Sequence, residues 1–130
     1  MLLFGHHFIK SEKFYHINDI DAVTKTPSNA IIYVEFNENN LDIITFLQLN
    51  SIRFALHVNS LTEAIYAYNL GAKYITCNEK LAVELQKTAE TYLFDAKILV
   101  HIDEEKEIEK YAKVGIDGVV FPTAIIKVSL

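Results

Sequence analysis

The segment Arg53–Cys77, RFALHVNSLTEAIYAYNLGAKYITC, lies over Lys97–Phe121, KILVHIDEEKEIEKYAKVGIDGVVF, at an offset of 44 residues. Leu56-His57-Val58 falls on Val100-His101-Ile102, Glu63 on Glu107, Gly71 on Gly115 and Ile75 on Val119. Each copy reads as a buried strand, a capped helix, a glycine and a second strand. Ser60-Leu61-Thr62-Glu63 is a capping box: the Ser60 hydroxyl accepts from the Glu63 amide, and the Glu63 carboxylate is expected to reach back to the Ser60 amide. The helix then runs over Leu61–Leu70, and Gly71 suits the left-handed position that closes it. A period in the forties that spans two βα turns fits a two-unit step of a βα solenoid or barrel. Any right-handed βαβ unit uses the same parts, so duplication and shared architecture are both open.

The same alternation extends both ways along the chain. Strands are expected over Ile31–Phe36, Ile52–Val58, Lys73–Cys77, Lys97–Ile102 and Gly118–Phe121, all parallel in the core of the sheet. Leu2–Ile9 and Phe14–Ile17 read as two strands, or as one strand and a lead-in. Asn39 or Asn40 can cap a helix with Leu41, Ile44, Phe46 and Leu47 on its apolar face. Asn78 can cap a helix over Glu79–Tyr92 with Leu81, Leu85, Thr88, Ala89 and Tyr92 on one stripe. Asp103 can cap Glu104–Val114, which Gly115 closes. Strands alternating with helices imply a parallel sheet. The expected fold is α/β: an open, mainly parallel sheet of five or six strands with helices on both faces, in the three-layer Rossmann or flavodoxin-like manner. The alternative is half of a (β/α) barrel, because a complete eight-strand barrel takes about 250 residues.

The chain has 130 residues, so positions 1–130 form one domain. It is 51% hydrophobic and 22% charged, which excludes a disordered or low-complexity chain. Apolar runs of about five residues fall far short of the roughly 20 that a membrane span needs. The net charge of −5, with 12 scattered basic residues, argues against a nucleic-acid surface. The single cysteine, Cys77, has no internal disulfide partner, and MLLFGHHFIK lacks the parts of a signal peptide; a reducing cytoplasm is the expected compartment. No cofactor is expected, because Gly5, Gly71, Gly115 and Gly118 form no glycine-rich phosphate loop.

Candidate chemistry lies at the strand ends. His57 and His101 occupy the second-last position of their strands, Tyr15-His16-Ile17 has the same local form, and Glu35 sits at the matching place in Val34-Glu35-Phe36. Ligand and catalytic sites of α/β folds are built at the C-terminal ends of strands. If all strands share one phase, His16, Glu35, His57 and His101 meet at one edge, in a combination that suits a transition metal. No H-x-H or H-E-x-x-H spacing supports that ion, and a strand-edge histidine can equally bond a loop carbonyl. Cys77 precedes the Asn78 cap, where a thiol can be activated, with His57 or His101 as base. The opposing expectation is a small buried hydrophobe. His6-His7 are expected to be exposed and inert. The acidic Asp103–Glu109 segment reads as a solvated helix start.

The tail, EIEKYAKVGIDGVVFPTAII over Glu107–Ile126, resembles the closing segment of phosphate-binding (β/α) barrels such as the tryptophan synthase alpha subunit and the glycerophosphodiester phosphodiesterases. The resemblance covers about 20 of the 130 residues and implies a βα unit. It does not carry the chemistry across. Where those barrels place glycine to bring backbone amides to phosphate, this chain has Pro122, which has no amide hydrogen, and Thr123-Ala124 make a poor anion nest.

Two functions follow as expectations. The first is a non-enzymatic binding or assembly domain with no catalytic or metal residues. It is a homodimer, because eight phenylalanines and seven tyrosines exceed what a chain of this length can bury. Tyr66, Tyr68, Tyr74, Tyr92 and Phe94 cluster in mid-chain; tyrosines at helical spacing are mostly core with a polar tip at the surface, and a surplus on an exposed helix would instead mark the interface. The second is a hydrolase or lyase with His57, His101, Glu35 and Cys77 as catalytic candidates, or with His16, Glu35, His57 and His101 around a metal.

Overall fold

The computed structural model describes residues 1–129. Eight strands form one sheet: β1 (Leu2–Phe4), β2 (Phe14–His16), β3 (Ile31–Glu35), β4 (Phe54–His57), β5 (Tyr74–Cys77), β6 (Lys97–His101), β7 (Gly118–Val120) and β8 (Ile125–Lys127). The helices are α1 (Leu41–Leu49), α2 (Leu61–Asn69), α3 (Glu79–Thr91) and α4 (Glu107–Lys113), with short 3₁₀ turns at Ile20–Lys25, Glu38–Asn40 and Pro122–Ala124. Every pairing is parallel and the order is β1-β7-β6-β5-β4-β3-β2-β8. The five segments expected to form a parallel core all do so. The expected five or six strands is an undercount: Leu2–Ile9 and Phe14–Ile17 do supply two short strands, β1 and β2, and β8 was not expected because its three residues carry too little pattern to read.

The sheet curls. β8 pairs with β2 at one end of the order, yet it follows β7 after only Phe121–Ala124. Phe121 N–H donates to the Phe4 carbonyl at 2.9 Å and the Thr123 hydroxyl donates to the Gly5 carbonyl at 2.6 Å, so this turn knits β1 to the β7–β8 strand. Gly5 has φ +89°, and a Cβ there would stand 2.9 Å from the Ala124 backbone nitrogen. Only glycine accepts both conditions.

Alternation along the strands sorts the core into two layers. Ile32, Val34, Phe54, Leu56, Ile75, Ile98, Val100 and Val119 point outward and pack with Ile44, Leu47, Ala64, Ala82, Leu85 and Tyr111 of the helices. Phe4, Phe14, Ile31, Tyr33, Ala55, Tyr74, Leu99 and Val120 point inward and pack on one another, joined only by Ala124 and Ile125. Phe4, Phe14 and Tyr74 meet there with centroids 5.1–5.6 Å apart, Tyr74 edge to face with both phenylalanines and those two tilted to each other. The concave side of the sheet therefore fills itself. This corrects the expected three-layer arrangement: all four helices pack on the convex face, as the half-barrel alternative requires.

Helix detail differs in three places. The buried face of α1 is Ile43, Ile44 and Leu47, while Leu41 is exposed. On α3 it is Ala82, Leu85, Gln86 and Ala89, and Tyr92 is exposed. Helix α4 begins at Glu107 rather than Glu104, because the Glu107 carboxylate accepts from the backbone amides of both Asp103 and Glu104 and holds them in a turn ahead of the helix. Among the described residues no helix is long and apolar enough to cross a membrane.

Candidate functional site

Parallel register places the polar residues of the concave face on neighbouring strands. Glu35 pairs with His57, and His57 with Thr76; His16 pairs with Tyr33 on one side and Lys127 on the other. These side chains alternate with the outward residues, so they stand above the inner core at the C-terminal edge of the sheet.

At the centre are two imidazoles. The His57 and His101 rings are 5.1 Å apart and steeply inclined. Each is anchored through one nitrogen: His57 Nδ1 is 2.9 Å from the Thr76 hydroxyl, and His101 Nε2 is 3.2 Å from the Tyr33 hydroxyl. His16 stands against the Tyr33 ring at 5.0 Å. Among the described residues no buried side-chain nitrogen or oxygen lacks a hydrogen-bond partner. Among the described residues the second nitrogens, His57 Nε2 and His101 Nδ1, have no protein partner, so neither is sealed from solvent.

The electrostatics follow from burial. Desolvation, with the neighbouring His57 adding to it, pushes the His101 pKa down to about 4. His57 is also lowered by burial, against the opposing pull of Glu35 and Glu63. His16 is lowered by burial, with Glu35 opposing and Lys127 adding. Tyr33 is pushed up to about 12 by burial, with Thr76 opposing and Glu35 adding. At neutral pH the site thus holds neutral imidazoles beside a phenol that keeps its proton. If the phenol donates to His101 Nε2, His101 carries its own proton on Nδ1, facing outward.

The sequence-derived candidates divide. His16, Glu35, His57 and His101 share the concave face, with Glu35 exposed at the rim. Among the described residues no three His, Cys, Asp or Glu side chains are grouped to hold one metal ion. Cys77 is not with them. It follows Thr76 by one residue, so it points to the convex side and is fully buried under the helices. Burial pushes its thiol up to about 12, the reverse of what a nucleophile needs. His6 is not the free, exposed group expected: its side chain is 8% exposed and bonds Glu105 at 2.7 Å.

Tyr33 and Thr76 were missed because each reads as an ordinary core residue of its strand. Strand parity carries the signal for both: Tyr33 precedes Glu35 by two, and Thr76 is the register partner of His57. The chain matches no family model and no curated protein sequence.

Proposed function

We propose that the chain is an acid–base enzyme of the hydrolase or lyase type, acting on a small polar substrate at the C-terminal edge of the sheet. The observation that carries this reading is the His57–His101 pair, two neutral imidazoles with one nitrogen anchored and the other open to solvent. A neutral imidazole accepts a proton as a general base and returns it as imidazolium, and fixed orientation is what general acid–base catalysis demands. In this reading His57 and His101 take protons from substrate, Thr76 and Tyr33 hold their rings, and Glu35 stabilises His57 when it becomes charged. The buried, unpaired Cys77 suits a reducing compartment, and the cytoplasm is the location we propose.

The test is turnover of a panel of carboxylic esters, phosphate esters and 2-hydroxy acids. His57→Gln and His101→Gln should each lower kcat about 10²–10⁴-fold with the circular dichroism spectrum unchanged. Turnover that survives both substitutions refutes the reading.

A second reading, a self-associating binding domain, is favoured by a different observation. Phe36, Leu41, Tyr66 and Leu70 line an open groove of about 490 Å³ between α1 and α2, with the Phe36 and Tyr66 rings 6.0 Å apart. Light scattering at micromolar concentration separates a homodimer from the 14.8 kDa chain mass.

A further inference from the structure

Beside the two imidazoles, the C-terminal edge of the sheet opens into a cleft of about 450 Å³. Its lining includes one cation, Lys127 at the end of β8, and one anion, Asp103 just past β6, together with His101. Its accessible apolar lining is Pro122 and Ile125, with Ile102 and Val120 buried beneath. Among the described residues neither Lys127 nor Asp103 forms an ion pair, although five ion pairs occur elsewhere on the molecule. Both side chains are exposed and hydrated, so the cleft presents one charge of each sign to a ligand. A simple anion would bond Lys127 but be repelled by Asp103, and the chain's net charge of −5 disfavours it further. A simple cation would reverse the mismatch.

We propose that this cleft binds a small zwitterion of the α-amino-acid class, with its carboxylate toward Lys127 and the outward nitrogen of His101, its ammonium toward Asp103, and a hydrocarbon side chain against Pro122 and Ile125. The inference rests on reading the strand-end region as a small-molecule site, and it names the ligand class for that site. Recognition by charged groups at both ends is also selective, because a ligand lacking either end leaves a charged partner unpaired.

The probes are leucine, 4-methylpentanoate and 3-methylbutylamine, which share a branched hydrocarbon and differ only in charged ends. Calorimetric titration of the whole chain should give leucine at least about tenfold tighter binding than either half, the loss expected for one charge-assisted hydrogen bond. Lys127→Met should erase the preference over the amine, and Asp103→Asn the preference over the acid. Equal binding of leucine and the acid would make this an anion site and overturn the proposal, as would equal binding of leucine and the amine. Absence of leucine binding at millimolar concentration overturns it as well. Leucine binding without turnover of any substrate counts against the acid–base reading alone. Turnover of substrates with no amino group, without leucine binding, counts against the zwitterion alone.

Discussion

His101 owes its character to what covers it. Its folded pKa of about 4 lies below the ordinary value of 6.5, so between those limits the unfolded chain binds a proton that the folded chain refuses. Stability should therefore fall as pH drops from 6.5 toward 4, by at most about 3 kcal/mol from this group. Urea unfolding at pH 7.5 and pH 5 measures it, and His101→Gln should reduce the difference, leaving the part that His57 and His16 supply; an unchanged slope in that variant would assign the loss to other groups. Cys77 offers a second check. Buried on the convex side with its thiol raised, it should resist a disulfide reagent until the chain unfolds, and fast labelling of the native protein would contradict its placement. The positions of His57 and His101 were legible in the sequence, because a polar residue near the end of an apolar strand stands out. Tyr33 and Thr76 were not, since a tyrosine or threonine in a β-rich run signals propensity before it signals chemistry.

Among the elements, the capped helix α2 was the most legible. The Ser60 hydroxyl accepts from Glu63 N at 3.1 Å, as the capping box requires, but the Glu63 carboxylate accepts from the Asn59 amide at 2.9 Å instead of from Ser60. Ser60→Ala should cost about 1 kcal/mol in urea or thermal unfolding, and a curve matching the parent would remove the cap from the account. Gly71 closes the helix at φ +91° with no atom within 4 Å of the place a Cβ would take. Gly71→Ala should thus cost about 1–2 kcal/mol from backbone strain alone, with no packing defect. Helix α4, the counterpart of α2 in the second copy, shows the limit of pattern reading. Glu107 matches Glu63, and its carboxylate likewise accepts from the amide four residues earlier. The second copy has no hydroxyl at the matching cap position, and the helix starts three residues later than expected. Three-residue strands such as β8 leave no periodicity to count, and their pairing depends on partners far away in sequence.

Across the whole molecule, curling of the sheet explains the site. A flat sheet would spread β2, β3, β4 and β6 along a line, at about 4.8 Å per strand. Curvature turns their inward side chains toward one another, and the His57 and His101 rings, two strands apart in the order, stand 5.1 Å from each other. That curvature depends on small residues where strands crowd. A Cβ on Gly118 would stand 2.7 Å from Leu99 Cδ2 and 2.8 Å from the Leu2 carbonyl oxygen, so Gly118→Ala should destabilise the fold by about 1–3 kcal/mol. The central claim is that two neutral, oriented imidazoles meet at the C-terminal edge of the sheet. Nitrogen-15 NMR of the histidine rings across a pH titration tests it most directly. The account predicts that His101 stays neutral down to about pH 4, that His57 and His16 titrate below 6.5, and that Tyr33→Phe alters the His101 tautomer. Free titration of His57 and His101 near 6.5, with no response of His101 to Tyr33→Phe, would contradict it.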